Sequence, residues 1–173
     1  MTIVRQALLL LSLTLLTSCG YHVSGHADLL AKRIHTIAIP AFGNATSRYK
    51  LSETITSALT REFISRTRYR IVADPAQAEA VLTGNVVNIF TAATVYDPTK
   101  NRASAAEAIV ILQVTLTDRS DNSVLFSRPN YEVRERYEIS TDPRTYFEES
   151  DVAMDRLSRD VARSVVSAIL ENF

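Results

Sequence analysis

The sequence predicts an α+β fold, a two-layer sandwich with two amphipathic helices packed on one face of a mostly antiparallel sheet of about four strands. Apolar residues recur at helical spacing in two segments, from about Tyr49 to Arg66 and from about Asp142 to the C-terminus. Between them, alternating apolar and polar residues are interrupted by short segments rich in Asp, Asn, Pro and Ser. Hydrophobic residues make up 46% of the chain, which excludes an intrinsically disordered protein.

The first 18 residues have the features of a bacterial signal peptide. Arg5 is followed by an apolar run from Ala7 to Leu16, which is shorter than the roughly 20 residues of a membrane-spanning helix. The sequence Leu16-Thr17-Ser18-Cys19 is similar to a lipobox, and Cys19 is the only cysteine, so it has no disulfide partner within the chain. We therefore predict cleavage before Cys19 and lipidation of its thiol, which attaches the protein to a membrane through acyl chains.

The residue after the lipidation site and the charge of the rest of the chain indicate where the protein works. Gly20 stands where an Asp would favour retention in the inner membrane, which predicts sorting to the outer membrane. Without its signal peptide the chain carries 18 basic and 19 acidic residues, so no nucleic-acid partner is predicted. The remaining length suits one domain. We expect a signal peptide at residues 1–18, a lipidated tether at 19–33 and a single domain at 34–173.

The first half of this domain is predicted to contain a strand, a helix and a second strand. The nearly continuous apolar run from Ile34 to Ile39 ends at Pro40 and predicts a strand covered on both faces. A short strand at Tyr69 to Val72 follows the first helix. The apolar stripe of that helix comprises Leu51, Ile55, Ala58, Leu59 and Phe63.

The second half is predicted to contain three longer strands and the last helix. A strand from Ala80 to about Tyr96 and one through Ala108 to Thr117 form a hairpin around the turn at residues 97–102. A strand from Val124 to Ile139 follows the turn at residues 118–123. Asp142 and Pro143 then predict a capped helix start. The apolar stripe of this helix comprises Phe147, Met154, Leu157, Val161, Ala168 and Ile169.

The strand that starts at Ala80 is apolar on both of its predicted faces. Simple alternation places Val81, Val87 and Ile89 on one face and Leu82, Val86 and Phe90 on the other. The helices can cover only one of these faces. The pattern leaves open whether the second face is solvated or contacts another protein. Semi-polar residues suited to such a contact are Thr83, Asn85, Asn88, Thr91, Gln113, Thr115 and Thr117.

No arrangement of residues predicts an enzyme, a cofactor or a metal site. His22 and His26 are four residues apart, but they lie in the tether, where no helical period supports a metal site. His35 belongs to an apolar strand and is interpreted as a core or edge residue. Glu148 and Glu149 complement the dipole of a first helical turn.

Several short segments, taken in order, resemble the lipopolysaccharide-assembly lipoprotein family, the LptE component of the outer-membrane translocon. The similarity begins at Cys19-Gly20-Tyr21-His22-Val23 and continues in the first strand and its loop, residues 34–46. It extends through residues 59–63, 69–72 and 78–84 and into the closing helix. The family fold, helices on a four-stranded sheet, agrees with the pattern-based prediction.

The resemblance implies a non-enzymatic protein with a large β-barrel partner. It would bind an LptD-like barrel one to one, plug its lumen, assist its assembly and help deliver lipopolysaccharide to the outer leaflet. Basic residues in two loops of the family are linked to lipopolysaccharide, and the nearest matches are Arg102 and Arg144, with Lys100 at the same hairpin tip as a further candidate. The predicted topology places both loops at one end of the sheet, although solvated turn charges remain an alternative.

A second hypothesis is an adaptor or ring-forming component of another envelope export machine. The sequence Ile37-Ala38-Ile39-Pro40, with Phe42 and Asn44 after it, is also similar to segments of curli-secretion-type pore proteins. A plug would pair with one barrel protein, whereas a ring former would associate with itself.

Overall fold

The computed structural model describes residues 33–99, 102–138 and 146–172. The predicted signal peptide, the predicted lipidation site Cys19 and the predicted tether up to Lys32 lie outside the described residues. The same holds for the predicted helix cap at Asp142 and Pro143.

The described residues form an α+β fold, as the sequence predicts. The order is β1 (Thr36–Ala38), β2 (Gly43–Asn44), α1 (Lys50–Arg66), β3 (Arg70–Val72), a 3-10 turn (Pro75–Gln77), β4 (Ala80–Asp97), β5 (Arg102–Asp118), β6 (Val124–Glu138) and α2 (Tyr146–Glu171). Both helices pack on the same side of the sheet, and α1 begins within one residue of its predicted start.

The sheet has six strands among the described residues, two more than the prediction of about four. Its order is β3-β1-β4-β5-β6, and β2 pairs with β4 beside this path. The long strands β4, β5 and β6 form an antiparallel meander, whereas the short strands β1, β2 and β3 make parallel pairs. The segments predicted as strands include those of β1 and β3, and only β2 was missed, because a strand of two residues carries almost no periodic signal.

The core lies between the helices and one face of the meander. β5 contributes every second residue from Ala108 to Leu116, and each of them is completely buried. The opposing side chains of α1 and α2 include Leu51, Ile55, Leu59, Phe63, Leu157, Val161 and Ile169. Burying each of these large side chains contributes roughly 1.5–3 kcal/mol. The predicted helical stripes therefore form the core, although the side chain of Phe147 is not described.

One end of the sheet, which we call the base, holds β1 against the start of β4 and the end of β5. The Glu79 carboxylate accepts the backbone N–H groups of His35 and Thr36 and so joins the start of β4 to β1. The Arg119 guanidinium donates to the carbonyls of Ala76 and Ala78, at 3.1 and 2.9 Å. The opposite end, where β4 turns into β5, is called the distal end. These contacts hold the start of β1 at the base.

Candidate interaction surfaces

The meander has a second face that no described helix covers. We define this open face by side chains that pair across β4, β5 and β6 on the side away from the helices. They include Thr83, Asn88, Phe90, Ile109, Ile111, Gln113, Thr115 and Ser127. Phe90 is 45% exposed, whereas Ile109 is only 5% exposed. The face is thus a mixture of hydroxyl, amide and apolar groups, a composition found at surfaces that contact other proteins.

A β-bulge at Val87 decides which side chains of β4 lie on the open face. Val86 pairs with Leu112 and Asn88 pairs with Ile111, so Val87 is an extra residue in β4. The alternation reverses beyond such a residue. The prediction that Phe90 shares a face with Leu82 and Val86 is therefore wrong.

Beyond the bulge, Ile89 and Phe90 exchange their predicted sides. Ile89 packs against the core, although it was predicted to lie with Val81 and Val87. Phe90 pairs with Ile109 on the open face. The bulge therefore places one large aromatic side chain on the surface that lacks a described cover.

Charged groups on the open face are paired with one another near the distal end. The Arg134 guanidinium lies 3.0 Å from the Glu107 carboxylate and also forms an ion pair with Glu132. These two carboxylates raise the pKa of Arg134. Arg136, beside Glu107 on the same face, is exposed. Exposed ion pairs contribute little to stability, but they leave this part of the surface close to neutral.

The candidate lipopolysaccharide contacts fall at the edge of the described structure. Arg102 begins β5 and pairs with Asp97, but the structure does not describe its side chain. Lys100 and Arg144 lie outside the described residues. The strand that precedes the second loop ends at Glu138, which pairs with Ala105, close to the start of β5. The strands flanking both loops therefore end together at the distal end.

At the base, an ionic cluster forms around Arg33, the first described residue. Arg33 Nη2 lies 2.8 Å from Asp121 and 3.2 Å from Asp118, whose side chain is only 2% exposed. The hydroxyl and N–H of Ser120 donate to Asp118, and these bonds hold the pKa of the carboxyl below its usual value. The first described residue is thus fixed to the turn between β5 and β6.

The described residues offer no metal centre. No group of three or more His, Cys, Asp or Glu side chains in these ranges is placed to hold an ion. His35, predicted as a core or edge residue of a strand, directly precedes β1 and is 71% exposed, with its Nδ1 3.5 Å from the Glu79 carboxylate. The side chains of Glu148 and Glu149 are not described, and His22 and His26 lie outside the described residues. No helix of the described part is long and apolar enough to span a bilayer.

A family model for lipopolysaccharide assembly, LptE, matches residues 34–169, which cover the sheet and both helices. The chain belongs to the LptE family. The LptE family is a non-enzymatic lipoprotein family associated with lipopolysaccharide assembly. The matched range begins one residue after Arg33 and ends in the last turns of α2.

Solved structures share the LptE-like fold of this chain at low sequence identity. A candidate lipoprotein from Caulobacter crescentus is 14% identical, with a TM-score of 0.52 over 84% of this chain and 93% of that one. A protein from Xanthomonas campestris is 14% identical, with a TM-score of 0.55 over 80% and 85%. The PelC dodecamer from Paraburkholderia phytofirmans is 16% identical, with a TM-score of 0.50 over 78% and 88%. These likenesses show the fold only.

No curated protein sequence matches the chain. Within the LptE fold, Ile109 and Ile111 form the apolar part of the open face. The sequence indicates this position, because both residues alternate with the core residues Ala108, Val110 and Leu112 and so point away from the helices.

Proposed function

We propose that this LptE-family protein is the outer-membrane lipoprotein that plugs an LptD-like β-barrel one to one. In this role it helps the barrel to assemble and assists the insertion of lipopolysaccharide into the outer leaflet. The observation that carries the proposal is the family match over a domain whose sheet has one face free of any described helix.

The composition of the open face supports a partner with a polar inner wall. The lumen of an outer-membrane barrel is polar, in contrast to its lipid-facing side. Gln113, Thr115 and Ser127 offer hydrogen-bonding groups to such a wall, and Phe90 offers an apolar contact. Arg134 is paired with Glu107 and Glu132, so docking does not bury an unpaired guanidinium there.

Attachment through Cys19 would keep the domain close to the membrane that holds the barrel. The chain from Cys19 to Arg33 can span at most roughly 50 Å when fully extended. Arg33 is held at the base by Asp118 and Asp121, so the lipid would connect to the end of the sheet opposite the basic loops. The basic loops at the distal end would then face away from the anchor.

Lysine and arginine side chains of the distal loops would contact lipopolysaccharide. Lipopolysaccharide carries phosphates, and guanidinium groups match phosphate oxygens with paired hydrogen bonds. Lys100, Arg102 and Arg144 are the proposed contacts. Their loops belong to flanking strands that end together, so one phosphate-bearing ligand could reach both loops.

The pairing with a barrel is tested by co-purification. Tagged mature protein is captured from detergent-solubilised outer membranes, and the captured proteins are identified and quantified by mass spectrometry. We expect one large β-barrel protein in one-to-one ratio. Self-association without a barrel would contradict the proposal and support the ring-forming hypothesis.

The lipopolysaccharide contacts are tested separately with purified protein. We expect Arg102→Ala combined with Arg144→Ala to weaken lipopolysaccharide binding by roughly a hundredfold, because two charge-assisted bonds to phosphate are lost. Arg61→Ala with Arg66→Ala, on α1, is the matched control with the same change in charge. Equal loss in both double variants would reject a specific role for the loops.

A further inference from the structure

The outer edge of β4 contains a stretch of sheet backbone with no described partner strand. β1 pairs with this edge at Ala80–Val81, and β2 pairs with it at Asn85–Val86. Beyond Val86, no strand within residues 33–99, 102–138 or 146–172 pairs with the same edge. Bulges at Val87 and Thr94 bound a regular stretch, Asn88–Ala93, which we call the β4 edge.

The β4 edge lacks the residues that normally prevent strand pairing. Its sequence, Asn-Ile-Phe-Thr-Ala-Ala, contains no charge, no proline and no glycine. Natural proteins usually protect exposed edges with charged side chains, proline or bulges. Six uncharged residues in a regular strand form a favourable template for another strand.

The other long edge of the sheet, β6, is protected in this way. Pro129 and Asn130 bulge opposite Gln113, and Arg134 and Arg136 are exposed further along the strand. Proline removes a backbone donor from an edge. Because proline and charged side chains occur on β6 but not within Asn88–Ala93, the regular stretch between the two β4 bulges is suited to accept a short strand.

The chain itself pairs β1 and β2 with this side of β4 and then turns away from the sheet. The last backbone hydrogen bond between this segment and β4 runs from the Ala45 N–H to the Val86 carbonyl, at 2.9 Å. The Asn44 side chain then accepts the N–H and hydroxyl of Thr46, at 2.9 and 2.8 Å, which turns the chain away. A strand from a partner would continue the backbone pairing along β4 beyond Val86, where the pairing by β2 ends.

We propose that the β4 edge pairs through main-chain hydrogen bonds with an extended, uncharged segment of the barrel protein. The inference rests on the proposed function. The wall strands of a closed barrel have no free edge, so the segment has to be a loop of the barrel protein that enters the lumen. The Phe90 side chain lies next to this edge on the open face. It would contact a side chain of the added strand and so contribute to the specificity of the pairing.

Amide hydrogen exchange, resolved to single residues, tests the pairing in the complex of the full mature protein with its barrel. Successive amides of a strand point to opposite sides, and those pointing to β5 are already bonded. We expect every second amide from Asn88 to Ala93 to exchange at least about tenfold more slowly in the complex than in the free protein. If the amides that point away from β5 exchange at the same rate in the complex and in the free protein, the inference is overturned. The proposed function would still stand in that case, because one-to-one co-purification does not depend on this pairing. Failure to recover any barrel protein would overturn both.

A charged substitution gives an independent test. We expect Thr91→Lys, in the centre of the β4 edge, to reduce barrel recovery at least about fivefold, because its ammonium group opposes an added uncharged strand. Asn130→Lys, an exposed residue on the protected β6 edge, is the matched control and should keep wild-type recovery. Equal recovery of both variants would contradict the inference. Thermal unfolding checks that each variant folds. If Thr91→Lys does not fold, the hydrogen-exchange experiment alone tests the pairing.

Discussion

At the residue scale, Gly84 is required because the Phe42 ring occupies the space that a side chain would need. A Cβ atom at Gly84 would lie 2.1 Å from this ring, which is itself buried. The Phe42 N–H donates to Thr56 Oγ1 at 3.0 Å, so the ring is also held from α1. The contact joins the first part of β4 to the segment that leads into α1.

We predict that Gly84→Ala lowers the free energy of unfolding by about 1–3 kcal/mol, because the ring must move within a packed core. Gly43→Ala is the control. Its Cβ would meet the end of the Asn85 side chain, at 2.7 Å, which can rotate away more easily. Denaturant unfolding of both variants measures the difference, and an equal loss would contradict this explanation.

Asp121 links the stability of the base to pH. Hydrogen bonds from Ser123, together with Arg33, lower the pKa of Asp121 from 3.8 to about 2. A lowered pKa in the folded state stabilises the protein above the unfolded-state pKa, and this contribution is lost as the pH falls from about 4 to 2. The carboxylate therefore stabilises the fold at neutral pH.

We predict that Asp121→Asn is less stable than the wild type near neutral pH, and that the difference disappears as the pH approaches the lowered pKa of Asp121. Urea unfolding across the acidic range measures both proteins. A difference in unfolding free energy that does not change with pH would show that the charge of Asp121 is not responsible.

At the element scale, α2 is stabilised mainly by the side chains that it buries against α1 and the sheet. Leu157 is completely buried, whereas Val152 on the same helix is 49% exposed. We predict that Leu157→Ala costs about 2–5 kcal/mol because it leaves a cavity. Val152→Ala should change stability by less than about 0.5 kcal/mol. Similar losses in the two variants would contradict the packing of α2 described here.

The elements that could be predicted from the sequence are those with a long periodic pattern. α1, α2 and the β4–β5 hairpin were predicted because each repeats its apolar spacing many times. β2 was missed, because two residues cannot show a period. The face of Phe90 was predicted wrongly because nothing in Val86-Val87-Asn88 distinguishes a bulged strand from a regular one.

The candidate surfaces could be predicted only in part, for the same reason. The alternation in β5 contains enough information to place Ile109 and Ile111 on the open face. The free β4 edge depends on which strands pair with β4, and the parallel pairing of β1 and β2 is set by tertiary packing. Local sequence does not contain that information.

At the scale of the whole molecule, different surfaces are proposed to have different roles. The base holds Arg33, the helices cover one face of the meander, and the open face and the β4 edge are the surfaces proposed to meet a partner. The distal end carries the proposed lipopolysaccharide contacts. This arrangement would let a lipid-anchored domain sit in a barrel lumen with its basic loops away from the anchor.

The most direct test of this account is site-specific photocrosslinking in cells. A photoreactive amino acid replaces Gln113, which is exposed near the middle of the open face. We expect one light-dependent adduct that contains a large β-barrel protein of the outer membrane. An adduct between two copies of this chain, or no adduct despite normal expression, would contradict the claim that the open face meets the barrel.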